Sequence, residues 1–287
     1  MCAAVLEETL DGGQAFRWRR EPDGAWLGLF GGQAVLLNEG AGGQVQWAAP
    51  QPLVQQAEAE LPRYWGSDAV LAAAVDSLPW RSDPHLARCL AEFPGLRILR
   101  QPFGDTLLGF LCSATKQIVQ IKQMIALLAA RHGAPLLPIG FPRPSRFTAP
   151  PFRLPTWREI AAVPEIELRA CLLGFRARYI HQTAQFIAAH PGWLEETEAL
   201  PYAVAKERLC TLPGVGEKVA DCVLLFGAGR LEAFPVDVWI IRAMARRYGL
   251  DGWKPAQIAH FGRAHFGPLA GLAQQYLFSY ERKIAGR

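Results

Sequence analysis

Two residues of the C-terminal half have the types and setting for chemistry at an electrophilic carbon: Lys218 and Asp237. Lys218 follows a glycine-rich run at 212–216, and Asp237 lies two residues after Pro235 and directly ahead of an apolar segment at 238–244. A neutral lysine amine is a nucleophile that forms Schiff bases. A rigidly held carboxylate stabilises positive charge as it develops in a reaction. The pair therefore indicates covalent catalysis by an amine, with electrostatic help from an acid.

The run 212–216 reads Leu-Pro-Gly-Val-Gly and lies between two predicted helices. Gly214 and Gly216 allow a tight turn in which backbone N–H groups, including that of Val215, approach a phosphate without side-chain obstruction. This is the design of a helix-hairpin-helix, which contacts DNA. An ordinary turn between two helices shows the same Gly-x-Gly pattern, so the run alone leaves both interpretations open.

The positions of Lys218 and Asp237 at helix starts have plain structural consequences. The positive end of the helix dipole disfavours a cation such as Lys218, but it contributes at most about 1 kcal/mol toward a neutral amine. A nucleophilic lysine here therefore needs desolvation as well, and the alternative is a solvated lysine that contacts a phosphate. Asp237 has a simpler role as the N-cap of the following helix. Backbone N–H groups hold such a carboxylate rigidly and keep it ionised, so we expect both roles to hold together.

The composition of the 287 residues excludes several classes of protein. With 51% hydrophobic residues the chain buries a substantial core, and its net charge of +4 permits a polyanionic partner without requiring one. The six cysteines form no C-x-x-C pair, which argues against a zinc ribbon or an iron–sulfur cluster. We expect no side-chain metal site and no cofactor. No apolar run is long enough to span a membrane and the N-terminus lacks a signal peptide, so we expect an intracellular protein that works where the genome is.

The elements that must position Lys218 and Asp237 follow an α+β order. Short β-prone pieces predict a small antiparallel sheet, and helical patterns dominate from residue 52 onward. We predict an N-terminal sheet domain at 1–76, a mostly helical domain at 77–287, and a long irregular surface connection in the Pro- and Arg-rich stretch 135–155. The β-prone pieces lie at 15–18, 26–30 and 34–37. Predicted helices lie at 118–131, 157–163, 165–173, 176–189, 201–210, 217–228, 238–248, 255–266 and 270–284.

The segments 212–222 (LPGVGEKVADC) and 234–238 (FPVDV) resemble the helix-hairpin-helix-Gly/Pro-Asp superfamily of DNA glycosylases. We place the motif at 202–240, and within the superfamily the chain is similar to the 8-oxoguanine DNA glycosylases. Further matches follow in sequence order at 13–18, 99–101, 110–113, 174–179 and 277–279. Ordered matches over nearly the whole chain are far more specific than one motif. The resemblance implies a small antiparallel sheet followed by a mostly helical glycosylase domain.

The resemblance also implies an activity and a partner. The partner is double-stranded DNA that contains a damaged base, no membrane is involved, and we expect a monomer. An oxidised guanine is flipped out of the duplex, Lys218 attacks the sugar C1′, and the base leaves a Schiff base behind. Asp237 stabilises the oxocarbenium-like charge. Strand nicking by β-elimination follows, so the implied enzyme is both a glycosylase and an AP lyase.

Several matched residues would form a pocket for the flipped base. The carbonyl of Gly13 would sense the N7 hydrogen that 8-oxoguanine has and guanine lacks, and Gln274 would read the Watson–Crick edge. Taken singly, each matched residue has a plainer interpretation as a turn glycine, a surface amide or a core residue. The remaining matches are Phe278 and Cys222, which enclose the base faces, and the walls Pro235 and Trp239.

Other matches concern the duplex around the lesion. Phe175 and Arg176 match a wedge and an arginine that enter the duplex where the base is removed. In the family the hairpin holds a cation through backbone carbonyls, which here would belong to Cys210, Leu212 and Val215.

The chain departs from the family pattern where the opposite strand is read. The family has asparagines and then an arginine that hold the orphaned cytosine, whereas this chain has Thr115, Lys116 and Gln117, with Gln120 in the arginine's place. We still predict DNA contacts from these four residues. An arginine donates two hydrogen bonds in a fixed fork, which glutamine cannot copy. We therefore expect relaxed discrimination of the opposite base.

Two alternative functions remain open at this stage. A glycosylase for alkylated bases would use an electron-rich aromatic cleft to hold a cationic base and would not need Lys218. A catalytically silent helix-hairpin-helix module would use Lys218 only to contact a phosphate. The two alternatives differ from the main prediction in whether the lysine forms a covalent intermediate.

Overall fold

The computed structural model describes residues 3–40, 44–138, 147 and 149–286, and it confirms the predicted α+β class. An N-terminal helix and a four-stranded antiparallel sheet precede a long succession of helices. The first elements are α1 (Ala3–Asp11), β1 (Trp18–Arg20), β2 (Trp26–Phe30), β3 (Gln33–Glu39) and β4 (Val45–Ala48). The helices that follow are α2 (Val54–Trp65), α3 (Asp68–Ser77), α4 (Pro84–Glu92), α5 (Phe103–Leu111), α6 (Ile118–His132), α7 (Trp157–Ala162), α8 (Glu165–Leu168), α9 (Arg176–Ala189), α10 (Trp193–Ala199), α11 (Tyr202–Cys210), α12 (Glu217–Phe226), α13 (Val238–Tyr248), α14 (Pro255–Phe266) and α15 (Ala270–Ile284).

The middle of the sheet is buried on both faces, because every residue of β2 is buried. The strands run in the order β1-β2-β3-β4, and one face packs against Leu61 and Tyr64 of α2. The other face is covered by Leu53, Leu137 and Phe147. The prediction of a surface connection at 135–155 was therefore wrong for Leu137 and Phe147, because a sheet that is apolar on both faces needs a second cover. Residues 139–146 and 148 of that connection lie outside the described part of the chain.

Most predicted helices are confirmed within two residues at either end, but two local predictions were wrong and some helices were missed. The first strand begins at Trp18 rather than at residue 15. Helix α1, which precedes the stretch expected to be helical, was not predicted, and no bounds were predicted for α2, α3, α5 and α10. The helix expected at 165–173 gives way after Leu168 to a wide, π-type turn in which Leu172 has a left-handed backbone (φ 64°), and the chain turns at Gly174.

The helical part contains two apolar clusters that meet around α12 and α13. One cluster includes the buried residues of α5, α6, α9 and α12, and the other joins α4 to α13, α14 and α15. Each of these helices is held by tertiary packing, so their N-termini have fixed positions relative to one another. In the described part of the chain, no helix is long and apolar enough to cross a membrane.

The sheet depends on a close contact between Gly28 of β2 and the indole of Trp18. A Cβ atom added at Gly28 would lie 2.4 Å from the Trp18 ring, which is fully buried and donates from Nε1 to the Tyr64 hydroxyl at 2.8 Å. Gly28→Ala should therefore lower the free energy of unfolding by about 1–3 kcal/mol, as overpacked cores do. Urea denaturation measures this loss. Glu39→Ala, at an exposed position of β3, is the control and should change stability by less than about 0.5 kcal/mol. An unchanged midpoint for Gly28→Ala would contradict this account of the sheet.

Candidate active site

A cavity of about 910 Å³ opens among the N-termini of α12 and α13, the start of α6 and the inner face of α15. It gathers most of the residues that the sequence singles out. The predicted residues on its wall are Gly13, Thr115, Lys116, Gln117, Lys218, Cys222, Pro235, Asp237, Trp239, Gln274 and Phe278. The predicted residues outside its wall are Gln120, Phe175, Arg176, Gly214, Val215 and Gly216.

Lys218 is placed on the cavity wall by the first turn of α12, for which Gly216 is the N-cap. The side chain is half-buried, and its Nζ lies 3.5 Å from the Ser113 hydroxyl and 5.2 Å from the ring centre of Phe110. Among the described residues it forms no salt bridge. A lysine held between a hydroxyl and an aromatic ring, with no carboxylate bound to it, is available to react with a ligand in the cavity.

The glycine-rich turn ahead of α12 is shaped by α9. Gly214 has a left-handed backbone (φ 79°), and a Cβ added there would lie 2.8 Å from the ring of Tyr179. Thr183, also on α9, donates to the Pro213 carbonyl at 3.4 Å. Nothing lies within 4 Å of a Cβ added at Gly216, so this part of the turn faces open space. The N–H of Val215 donates within the turn, to the Leu212 carbonyl, so it is not free for a phosphate in this structure. Phosphate contact through the other N–H groups of the turn stays a prediction.

Asp237 is the N-cap of α13, as the sequence predicts. Its Oδ1 accepts hydrogen bonds from the backbone N–H groups of Trp239 at 3.0 Å and Ile240 at 2.9 Å. The expectation that these bonds alone keep the carboxylate ionised was too simple. Burial raises the pKa of Asp237 and outweighs the two N–H groups and the nearby Lys218, which lower it.

Gly13 and Phe278 lie close together on the cavity wall. Its φ of 107° is accessible to glycine, and an added Cβ would lie 2.9 Å from Ile118 Cδ1 and 3.7 Å from Phe278 Cζ. Gln274, one turn before Phe278 on α15, is only 4% exposed, and its Oε1 finds no hydrogen-bond partner among the described residues. A buried acceptor without a partner is costly unless a ligand satisfies it. Gln274 is therefore a candidate for ligand recognition.

Cys222 contributes an apolar, neutral surface to the cavity. It lies one turn after Lys218 on α12 and is 3% exposed. Burial raises the pKa of its thiol to about 11, although Lys218 lowers it. The thiol is therefore protonated at neutral pH and packs as a small apolar group rather than as a nucleophile.

Phe175 and Arg176 lie at the corner between the π-type turn and α9, and they differ in exposure. Phe175 is 51% exposed, whereas Arg176 is 2% exposed and stacks beneath the Phe175 ring at 4.4 Å. The Arg176 guanidinium donates to the Ala114 carbonyl and, at 3.0 Å, to the Thr115 hydroxyl. Arg176 thus ties the exposed aromatic to the loop at 113–117 that borders the cavity.

Two family models match consecutive parts of the chain. Residues 3–107 match the 8-oxoguanine DNA glycosylase N-terminal domain, and residues 108–263 match the HhH-GPD superfamily base excision DNA repair protein. The chain belongs to the HhH-GPD superfamily. The predicted boundary at 76 between the two domains stays a prediction.

Known members of the superfamily resemble the chain over nearly its whole length. The N-glycosylase/DNA lyase OGG1 of Arabidopsis thaliana is 30% identical over 96% of this chain and 77% of its own. The 8-oxoguanine glycosylase/lyase of Clostridium acetobutylicum, solved with double-stranded DNA containing cytosine opposite 8-oxoguanine, has a TM-score of 0.87 at 30% identity, covering 98% of this chain and 92% of that one. The 3-methyladenine DNA glycosylase of Archaeoglobus fulgidus has a TM-score of 0.73 at 20% identity, covering 98% and 95%, and it shares the fold.

The sequence analysis missed two arginines on the cavity wall of this superfamily member. Arg242 lies one turn after Trp239, with its guanidinium 5.0 Å from the indole ring. Arg282 lies one turn after Phe278, with its guanidinium 5.4 Å from the ring. The i, i+3 and i, i+4 spacings on α13 and α15 place each arginine on the same helix face as its aromatic neighbour. That spacing was a signal present in the sequence.

The predicted cation site in the hairpin stays a prediction. The carbonyl of Leu212 accepts the backbone N–H of Val215 at 3.1 Å, which uses one of its two lone pairs. Among the described residues, no group of His, Cys, Asp and Glu side chains could hold a metal ion.

Because the pKa of Asp237 is raised, its charged form lowers the free energy of unfolding at neutral pH, and this effect depends on pH. At neutral pH the folded protein must bury a carboxylate that would bind a proton more tightly than it does in the unfolded chain, so ionised Asp237 lowers stability. Asp237→Asn keeps an N-cap side chain and removes the charge, so it should be at least as stable as the wild type at pH 7.

The stability difference should shrink as the pH falls through the raised pKa and vanish below the ordinary value of 3.8, where both states are protonated. Denaturant unfolding of both proteins between pH 3 and pH 7 measures it. Asp237→Ala is the control. It removes the N-cap as well as the charge, so it should be about 1 kcal/mol less stable than Asp237→Asn. A less stable Asp237→Asn variant at pH 7 would contradict this assignment.

Proposed function

We propose that the protein excises 8-oxoguanine from double-stranded DNA and then cleaves the strand through a lysine Schiff base. The observation that carries this proposal is the placement of Lys218 and Asp237 on the wall of one cavity, which also contains a recognition surface formed by Gly13, Gln274 and Phe278. Similar proteins named as N-glycosylase/DNA lyases support it. We also infer a monomer that acts in the compartment holding the genome, where its DNA substrate lies.

Base loss requires a nucleophile and a group that stabilises positive charge. As the bond between the sugar C1′ and the base nitrogen breaks, its electron pair leaves with the base and positive charge develops on the sugar. The carboxylate of Asp237, fixed by two N–H groups, lies on the same wall and stabilises that charge. The neutral amine of Lys218 forms the new bond to C1′, and its released proton balances the charge on the departing base.

Strand cleavage follows from the same lysine. Opening of the sugar ring converts the Lys218 adduct into a Schiff base, which acidifies the hydrogens on C2′. Loss of one of those protons forms a double bond and expels the 3′ phosphate, which breaks the strand. Hydrolysis then releases Lys218. Because the amine remains bound throughout, one residue serves both steps.

The charges on the cavity wall favour a neutral base over a cationic one. Besides the reactive Lys218, three cations line the cavity, namely Lys116, Arg242 and Arg282, and Asp237 is the acidic residue among the described lining residues. A positively charged alkylated base would meet repulsion from these cations. An oxidised guanine is neutral and presents hydrogen-bond donors that the Gly13 carbonyl and the Gln274 Oε1 can accept. The electrostatics thus favour 8-oxoguanine over an alkylated purine.

Lys218→Gln tests the covalent mechanism. The variant should lose base excision and strand cleavage by a factor of about 10³ or more, because the nucleophile is gone. It should also form no borohydride-trapped cross-link to a duplex with 8-oxoguanine opposite cytosine. Denaturing gels measure both products.

Lys116→Gln is the matched control, because it removes a cation from the same wall. It should bind DNA more weakly yet retain the cross-link. Wild-type protein that binds this duplex without forming a cross-link would instead favour the catalytically silent module. Excision of alkylated bases without excision of 8-oxoguanine would favour the alternative glycosylase.

The opposite-base prediction concerns Gln120 and its helix cap. Gln120 Oε1 accepts the backbone N–H of Gln117 at 3.2 Å, so its amide supports the start of α6. Without a guanidinium fork at this position, we expect excision opposite cytosine to exceed excision opposite adenine by a smaller factor than in Gln120→Arg. Single-turnover rates on the four duplexes measure this ratio.

Gln120→Lys is the control for charge alone. It should raise DNA affinity for all four duplexes without restoring the preference, since a lysine lacks the planar fork. Equal opposite-base ratios for the wild type and Gln120→Arg would show that position 120 does not read the opposite strand.

A further inference from the structure

Arg282 connects the two sides of the cavity where the flipped base would be recognised. Its Nη1 donates to the Gly12 carbonyl at 2.6 Å and to Glu8 Oε1 at 3.0 Å. Its guanidinium also lies 5.4 Å from the ring centre of Phe278, one turn earlier on α15. One side chain therefore contacts both the turn that carries Gly13 and the aromatic wall opposite it.

The turn at Gly12 and Gly13 packs tightly against α1, and Arg282 holds its carbonyl side. Gly12 is buried, and a Cβ added there would lie 2.1 Å from the Glu8 carbonyl oxygen, so the turn folds directly against the end of α1. Gly12 donates its N–H to that same carbonyl at 2.9 Å. The Gly12 carbonyl lies beyond the helix and is satisfied by Arg282.

The ion pair that anchors Arg282 is well shielded from water. The side chains of Arg282 and Glu8 are 15% and 16% exposed, so the bond is screened less than a surface ion pair. A second salt bridge fixes the end of α1, one residue before Gly12: Lys122 Nζ of α6 lies 2.6 Å from Asp11 Oδ1. Removing the Arg282 contact should therefore release the carbonyl side of the turn without detaching α1.

We propose that Arg282 is a positioning residue for lesion discrimination: it holds the Gly12–Gly13 turn at the distance from Phe278 and Gln274 that base recognition requires. This inference rests on the proposed function. Discrimination by a single hydrogen bond depends on the position of one carbonyl to within a few tenths of an ångström. Arg282 forms no hydrogen bond or salt bridge with Lys218 or Asp237, so the strand-cleaving step on a site that already lacks its base does not depend on it.

Arg282→Met tests the proposal by comparing two activities of the same enzyme. The variant keeps an unbranched apolar stem against Phe278 and loses every donor. Excision of 8-oxoguanine should fall by about tenfold or more, the size of effect expected from losing a charged hydrogen bond. Cleavage of a duplex with a preformed abasic site should stay within about twofold of the wild type, since Lys218 and Asp237 are intact.

Lys283→Met is the matched control. It removes a neighbouring cation of α15 that pairs with Glu92 instead, and it should leave both activities unchanged. Arg282→Lys keeps the charge but not the fork, so it should show the same selective loss to a smaller degree, and it serves if Arg282→Met does not fold.

The two activities also separate the possible failures. Equal losses of excision and abasic-site cleavage in a folded Arg282 variant would indicate a general structural role and overturn the proposal, as would the absence of any loss. Wild-type protein that cleaves abasic DNA but leaves 8-oxoguanine in place would overturn the proposed substrate and the inference together. If the wild type excises 8-oxoguanine and Arg282→Met keeps the wild-type ratio of excision to abasic-site cleavage, the inference alone is overturned.

Discussion

The site depends on two consecutive helices whose N-termini open into the same cavity. Asp237 begins α13 and Lys218 begins α12, and each is held by packing against the helical core. Burial raises the pKa of Asp237, while the α13 N–H groups and Lys218 stabilise its charged form. In the proposed mechanism, the meeting of two helix starts in one cavity therefore brings the nucleophile and its electrostatic partner together.

Much of this arrangement could be predicted, because its determinants are local in sequence. The glycines before α12 and the proline and aspartate before α13 are turn and cap signals, and the structure confirms Asp237 as the N-cap. The bounds of α13, α14 and α15 agree with their apolar periodicity. Grouping Gly13 with Gln274 on one cavity required the family resemblance, since no local pattern relates residues so far apart.

What the sequence did not reveal depends on long-range packing. The π-type turn before Gly174 breaks a segment with good helical periodicity, and Leu172 adopts a left-handed backbone that its residue type does not favour. Leu137 reads as part of an irregular connection, yet it covers a sheet far away in sequence. The role of Arg282 depends on a carbonyl at the other end of the chain. In each case the deciding contact joins segments that share no sequence pattern.

The proposed mechanism assigns the chemistry and the inspection of the base to different elements of the fold. Lys218 and Asp237 belong to α12 and α13, whereas Gly13 lies after α1 and Gln274 and Phe278 lie on α15. A fold with this division can change its lesion preference through the turn after α1 and the face of α15 while the lysine and aspartate stay fixed. The division also explains why Gly13 directly follows α1 and why Arg282 holds the turn there. A backbone carbonyl cannot be exchanged by substitution, so its position must be set by neighbouring side chains. Recognition by a carbonyl therefore requires the surrounding residues to act as its support.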